Sequence, residues 1–221
     1  MNAPVRCYPL GEAALVVDLG GVPGEATFRR LRALADDLEE HRPPGMLEAV
    51  PGYLTLTVLL DPLRADAQAV EQTVRALLHD LEEAPLEEPE PIEIGVIYGG
   101  PDGPDLAFVA EHCGLSEHEV VERHTAPIYR VHLIGFAPGF PYLGGLDPRL
   151  EVPRRAVPRP HVPAGSVGLA GQQTGVYSLE TPGGWQLIGR THQVLFDPRR
   201  DPPALLRAGD RLRFVPLEVR L

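Results

Sequence analysis

Three segments in the second half of the chain carry side chains suited to binding and chemistry. Residues 135–145 read G-F-A-P-G-F-P-Y-L-G-G. Prolines fix φ and glycines permit positive φ, so this is a rigid loop of defined shape. It presents Phe136, Pro138, Phe140 and Tyr142 as a binding surface, or as the packing of a tight barrel corner. Residues 163–175 read P-A-G-S-V-G-L-A-G-Q-Q-T-G. Ala164 stands where a G-x-S-x-G nucleophile elbow needs its first glycine, which argues against a serine hydrolase. Glycines such as Gly165 instead let main-chain N–H groups face an anion, beside the Ser166 and Thr174 hydroxyls. Residues 182–192, P-G-G-W-Q-L-I-G-R-T-H, add the only tryptophan, Trp185, and Arg190. The Arg190 guanidinium suits a carboxylate or phosphate fork, or a structural ion pair.

A fourth segment, 111–124, holds Glu111, His112, Cys113, His118, Glu119, Glu122 and His124. Its H-E-V-V-E run resembles the helical H-E-x-x-H zinc motif, but Glu122 replaces the second His. A solvated helical face accounts for the same residues, and no metal is assigned.

Composition narrows the chemistry further. All 20 basic residues are Arg and Lys is absent. A Walker A loop, a lysine Schiff base and the kinase strand lysine are therefore excluded. Biotin and lipoate attach to a lysine amine, so neither can be carried by this chain. Codon bias or a hot habitat would account for the missing lysine, whatever its chemical consequence. The net charge of -11 is uneven. Residues 1–90 carry 7 Arg and 17 acids, whereas residues 126–221 carry 12 Arg and 7 acids. The overall acidity argues against nucleic-acid binding. The basic C-terminal part suits an anionic small molecule or an acidic partner. No apolar run approaches the ~20 residues of a membrane helix, and no signal-peptide pattern opens the chain. Two cysteines without CxxC spacing fit a reducing compartment, so a cytoplasmic location without membrane association is expected.

The elements that must position these residues fall into two groups. Strands are expected at Val5–Tyr8 and Ala13–Leu19. Pro23 then opens a helix with Phe28, Leu31, Leu34, Ala35 and Leu38 on one stripe. Pro43-Pro44-Gly45 ends it. Leu54, Leu56, Val58 and Leu60 alternate as a half-buried strand. Asp61-Pro62 caps a second helix with Val70, Val74, Leu77, Leu78 and Leu81 on one face. Ile92, Ile94 and Val96 alternate again. Strand, helix, strand pair, helix, strand suggests a ferredoxin-like α+β sandwich. The acidic, Pro-rich 82–91 stretch reads as a linker, dividing a small α+β domain over 1–86 from a second domain over 87–221. In the second domain two short helices span 105–124, the latter opened by a Ser116/Glu119 capping box. Short β-like runs follow, including 129–134, 167–170, 186–188 and 212–215. Their spacing suggests a barrel or compact sandwich.

Taken together, G-F-A-P-G-F-P-Y-L-G, P-A-G-S-V-G-L-A-G-Q-Q-T-G-V-Y and P-G-G-W-Q-L-I-G-R-T resemble the allophanate hydrolase subunit 1 family. The resemblance spans nearly the whole chain, including residues 114–124 and G-D-R-L-R-F at 209–214. His192 and Thr181 depart from the family's usual G-R-T-P and S-P-G-G-W. The resemblance implies a small α+β domain followed by a cyclophilin-like β-barrel domain. It implies a subunit of an ATP-dependent 5-oxoprolinase that cleaves 5-oxo-L-proline to L-glutamate, inactive alone. The implied partners are a second cyclophilin-like subunit of allophanate hydrolase subunit 2 type and a LamB/YcsF-type subunit. ATP would act in the complex, and biotin only if a partner supplies it. The same resemblance admits an inhibitor of a sensor histidine kinase, or half of a biotin-dependent carboxyltransferase. The expected binding group is Gly165, Ser166, Gln173, Thr174 and Arg190. Phe136, Pro138, Phe140, Tyr142, Trp185 and His124 are expected at a pocket or interface.

Overall fold

The computed structural model describes residues 4–22, 24–80 and 90–221. Pro23, Leu81 and residues 82–89 of the acidic stretch lie outside the described residues. Two compact units divide the chain, Met1–Glu87 and Glu88–Leu221.

The first unit is a four-stranded antiparallel sheet with two helices. Its strands are β1 (Arg6–Pro9), β2 (Ala14–Asp18), β3 (Met46–Pro51) and β4 (Thr55–Leu60), in the order β1-β2-β4-β3. The helices are α1 (Glu25–Glu40) and α2 (Ala67–Asp80). In the register of β2 and β4, Leu15 faces Val58 and Val17 faces Leu56. Cross-strand partners share a face, so these four form one apolar surface. Leu31, Leu34, Ala35 and Leu38 of α1 and Val70 and Val74 of α2 complete the same core. Each large apolar side chain stabilises by about 1.5–3 kcal/mol on burial. The helical stripe read from α1 is therefore its buried face.

Two details differ from the sequence reading. The sheet has the neighbour order of a ferredoxin-like sandwich, but its outer strand is β1, from the start of the chain. The alternating Ile92–Val96 segment, which completes the ferredoxin-like order in sequence, pairs elsewhere. The cap of α2 is Asp66, not Asp61. Asp66 Oδ1 accepts from the Gln68 N–H at 2.9 Å, whereas Asp61 Oδ1 accepts from the Leu63 N–H at 3.0 Å. Asp61 organises a turn, where its side chain competes with helix formation for the nearby amides.

The second unit closes a barrel from seven strands, in the order β10-β7-β6-β13-β5-β12-β9. These are β5 (Ile92–Gly99), β6 (Tyr129–Ile134), β7 (Pro141–Gly144), β9 (Ser166–Ala170), β10 (Gln173–Val176), β12 (Gln186–Arg190) and β13 (Arg211–Arg220). A separate ribbon pairs β8 (Arg159–Val162) with β11 (Thr181–Gly183). β5 runs parallel to β13 and antiparallel to β12. Closure removes the exposed edges that an open sheet would present. Ile94, Val96, Val131, Leu143, Val167, Ile188 and Phe214 fill the core. Helices α3 (Leu106–Cys113) and α4 (Glu117–Thr125) add Leu106, Val109, Val120 and Val121 to it.

The turn between α3 and α4 follows from local chemistry. Gly114 takes a left-handed conformation at φ 64°, which ends α3. Ser116 then caps α4. Its Oγ accepts from the Glu119 N–H at 3.2 Å, and the Glu119 carboxylate accepts from the Ser116 N–H at 2.8 Å. Ser116→Ala is expected to lower the stability of this unit by about 1 kcal/mol, read from urea unfolding. An unchanged midpoint would mean that tertiary packing alone holds the start of α4.

Candidate functional site

The aromatic loop is part turn and part strand. Gly135 N–H donates to the Phe140 carbonyl at 3.1 Å and Phe140 N–H to the Ala137 carbonyl at 3.0 Å, closing a tight turn. Pro141 then begins β7, the first strand position, where its missing N–H is tolerated. The Pro138 carbonyl accepts from Ser178 Oγ at 2.7 Å, which ties the turn to the chain after β10. Within this turn Phe136 adopts φ 66° while remaining 61% exposed. Positive φ is costly for a residue with a Cβ, by about 1–3 kcal/mol. Its ring packs edge-to-face against Phe140 and Tyr177 while most of its surface stays open to solvent.

The aromatic residues converge. Phe140 is buried at the centre, edge-to-face with Phe136 at 5.4 Å, Tyr142 at 4.9 Å, Tyr177 at 5.3 Å and Trp185 at 5.5 Å. Such pairs contribute about 0.5–1.5 kcal/mol each beyond burial. Around them lies a cleft of about 90 Å³, lined also by Arg154, Gly183 and Gly184. Glycine is required at one wall, because a Cβ on Gly183 would stand 2.2 Å from Tyr177 Oη.

Two lining residues, Tyr177 and Arg154, escape the sequence reading. Tyr177 ends the G-V-Y run after Thr174, and Arg154 sits in the P-R-R-A-V-P-R-P stretch, whose three cations are the only local signal. Among the described residues Arg154 makes no hydrogen bond or ion pair. The neighbouring carboxylates are engaged elsewhere. Glu151 accepts from Gln172 at 2.9 Å. Buried Asp105 accepts from Arg155 at 3.0 Å, from Arg159 at 2.8 Å and from the Leu187 N–H at 2.7 Å. Burial pushes the Tyr142 and Tyr177 phenols up. A hydrogen bond from the Trp185 main chain opposes that shift at Tyr177, and the positive charge of Arg154 opposes it at both.

The five residues expected to bind an anion do not form one group. Gly165, Ser166 and Arg190 are neighbours, with Ser166 opposite Arg190 in the β9–β12 register. Their main-chain donors are already engaged. Gly165 N–H donates to the Tyr177 carbonyl at 2.6 Å and Ser166 N–H to the Pro163 carbonyl at 3.2 Å. Arg190 Nε donates to the Ala164 carbonyl at 3.0 Å. Gln173 is half-buried at the start of β10.

Thr174 points into the barrel, where it meets His124. Its hydroxyl lies 3.1 Å from the Gly168 carbonyl and 2.9 Å from His124 Nε2. A carbonyl only accepts, so the Thr174 proton goes to Gly168 and His124 Nε2 must carry the proton it donates to Thr174. His124 Nδ1 is then the acceptor for the Tyr98 hydroxyl at 2.8 Å. Phe214 stacks on the imidazole at 4.5 Å, and the Tyr129 hydroxyl donates to the His124 carbonyl at 2.7 Å. Burial alone drives the His124 pKa down to about 3. His124 is thus a neutral histidine inside the core, which corrects its placement at a pocket or interface. Thr174 likewise has no hydroxyl free for an anion.

The His and Glu residues of 111–124 are dispersed. His118 pairs with Glu122 at 3.4 Å, and His112 stacks on Phe108. Among the described residues no group of three or more His, Cys, Asp or Glu could hold a metal ion. No described helix is long and apolar enough to cross a membrane. Cys7 and Cys113 are free thiols.

Comparison with known proteins gives a consistent set of relatives. Residues 5–206 match the family model described as carboxyltransferase domain, subdomain C and D. The chain is 53% identical to the B-type 5-oxoprolinase subunit of Escherichia coli O157:H7, covering 96% of this chain and 95% of that protein. It is 44% identical to the B-type 5-oxoprolinase subunit of Bacillus subtilis, covering 97% and 94%. Among solved structures, the Kluyveromyces lactis urea carboxylase shares the fold with a TM-score of 0.81 at 20% identity. That match covers 96% of this chain and 22% of the longer one.

Proposed function

Because the chain belongs to the carboxyltransferase-domain, subdomain C and D, family, we propose that it is the B-type subunit of a 5-oxoprolinase. The observation that carries this reading is the near-full-length identity of 43–53% to three proteins that bear this subunit's name. The complex would open the lactam of 5-oxo-L-proline to L-glutamate, adding water across an amide bond that is stable in water. ATP hydrolysis in the complex would drive that step.

The chain's own residues favour a contributing role rather than a complete active centre. Thr174 and His124 are engaged in the core, and the Gly165 and Ser166 amides close ladder and turn bonds. ATP would act in the assembled complex, and this chain would be inactive alone. With no lysine it cannot carry biotin. Its partners would be a second cyclophilin-like subunit and a LamB/YcsF-type subunit, and the complex would act in the cytoplasm.

Reconstitution tests the reading. The partner subunits, ATP and 5-oxo-L-proline are mixed with and without this chain, and glutamate is measured. Glutamate formation should require the chain. Formation at an equal rate without it would overturn the assignment.

A further inference from the structure

Deepening the proposed function, on which the choice of ligand rests, we propose that the aromatic cleft binds a small ring carboxylate such as 5-oxoproline, with Arg154 holding the carboxylate and Phe136 covering the ring. Four observations lead there. Arg154 lines the cleft and, among the described residues, has no hydrogen bond or ion pair. A cation left without a counter-charge beside aromatic faces is suited to a carboxylate, which it can grip through two parallel N–H donors.

The walls fit a flat ring. Phe140, Tyr142, Tyr177 and Trp185 meet edge-to-face, and the space of about 90 Å³ suits a single five-membered ring. A site of that volume holds several water-sized groups, since one water needs about 10–15 Å³ of such space.

Phe136 is the third observation. It is strained at φ 66°, yet largely exposed at the cleft. Such strain persists where the surroundings fix a side chain's direction, and here contacts with Phe140 and Tyr177 hold the Phe136 ring at the cleft.

The fourth is chemical. The Tyr177 hydroxyl proton has no acceptor among the described residues, so it is available to a lactam carbonyl. Carboxylate, ring and carbonyl would each then meet a suitable group.

Trp185 is the only tryptophan of the chain and lines this cleft, so its emission reports on it. The full-length chain is titrated with 5-oxo-L-proline and, separately, with 2-pyrrolidinone, the same lactam without its carboxylate. A saturable change with 5-oxo-L-proline, at least tenfold weaker with 2-pyrrolidinone, is expected. Arg154→Gln should weaken 5-oxo-L-proline binding by roughly tenfold or more, and Arg154→Lys should restore part of it. Circular dichroism checks that the variants fold; the two-ligand comparison on the unaltered chain needs no variant. No saturable response of the unaltered chain to 5-oxo-L-proline would overturn the proposal. So would an equal response to 2-pyrrolidinone, or unweakened binding by folded Arg154→Gln. If glutamate formation requires the chain while this titration is silent, the cleft assignment falls and the subunit assignment stands. If the titration succeeds while glutamate forms without the chain, the reverse holds.

Discussion

Replacing His124 with alanine is expected to destabilise the barrel unit by about 4 kcal/mol. Three losses add up. The Tyr98 hydroxyl loses its acceptor and Thr174 loses its donor, at 2.8 and 2.9 Å in the intact chain. A buried polar group without a partner costs about 1–3 kcal/mol. The ring that stacks on Phe214 at 4.5 Å is replaced by a cavity. Urea unfolding followed by circular dichroism measures the loss, and a change below about 1 kcal/mol would show that the network holds little of the barrel.

The same residue sets a pH dependence whose sign is fixed. Its folded pKa, about 3, lies below the unfolded value of 6.5. The unfolded chain therefore takes up the proton first as pH falls. The contribution of neutral His124 is fully present above pH 6.5 and is lost progressively as pH falls to about 3. Inside that window the loss is about 1.4 kcal/mol per pH unit. The difference in stability between the unaltered chain and His124→Ala should shrink over that window, since carboxylates common to both cancel. A constant difference would mean that the imidazole is solvated or charged.

Gly165→Ala should be comparably damaging, by about 3 kcal/mol or more. Gly165 sits at φ +85°, and a Cβ there would lie 2.1 Å from the Thr191 carbonyl oxygen. Relieving that overlap separates Gly165 from Thr191, whose N–H donates to the Gly165 carbonyl at 2.9 Å. Gly171→Ala is the control. It too has positive φ, at +56°, but a Cβ there meets nothing within 4 Å. It should cost only about 1 kcal/mol, the conformational part alone. Equal melting temperatures for the two variants would show that the Thr191 contact is absorbed by the chain. The glycine that looked suited to an anion is held by a close approach of two strands.

Local patterns foretell the elements well. The Leu31–Leu38 stripe is the buried face of α1, the Leu56–Leu60 alternation is β4, and Ser116 with Glu119 closes a capping box. These patterns act over a few residues, through one helix turn or one pleat. The absence of lysine is equally decisive, because it removes a functional group whatever the fold. Four of the cleft's aromatic residues are also legible, because Pro and Gly crowd around them.

Periodicity tells which face of an element is buried and is silent about what covers it. Ile92–Val96 alternates as a strand should, yet only barrel closure assigns it to β13 instead of the first sheet. His124 and Thr174 stand 50 residues apart, and both look like polar site residues. Their pairing depends on α4 and β10 meeting inside the barrel, where each satisfies the other. Tyr177 comes to the cleft in the same way, from a chain segment far from the aromatic loop, and Arg154 from a segment outside that loop. By itself the sequence determined the elements, the excluded chemistries and the aromatic loop. Only the tertiary structure decided which polar groups are satisfied inside the core and that Arg154, with no ion pair among the described residues, lines the cleft, because these placements are long-range contacts that register and closure create.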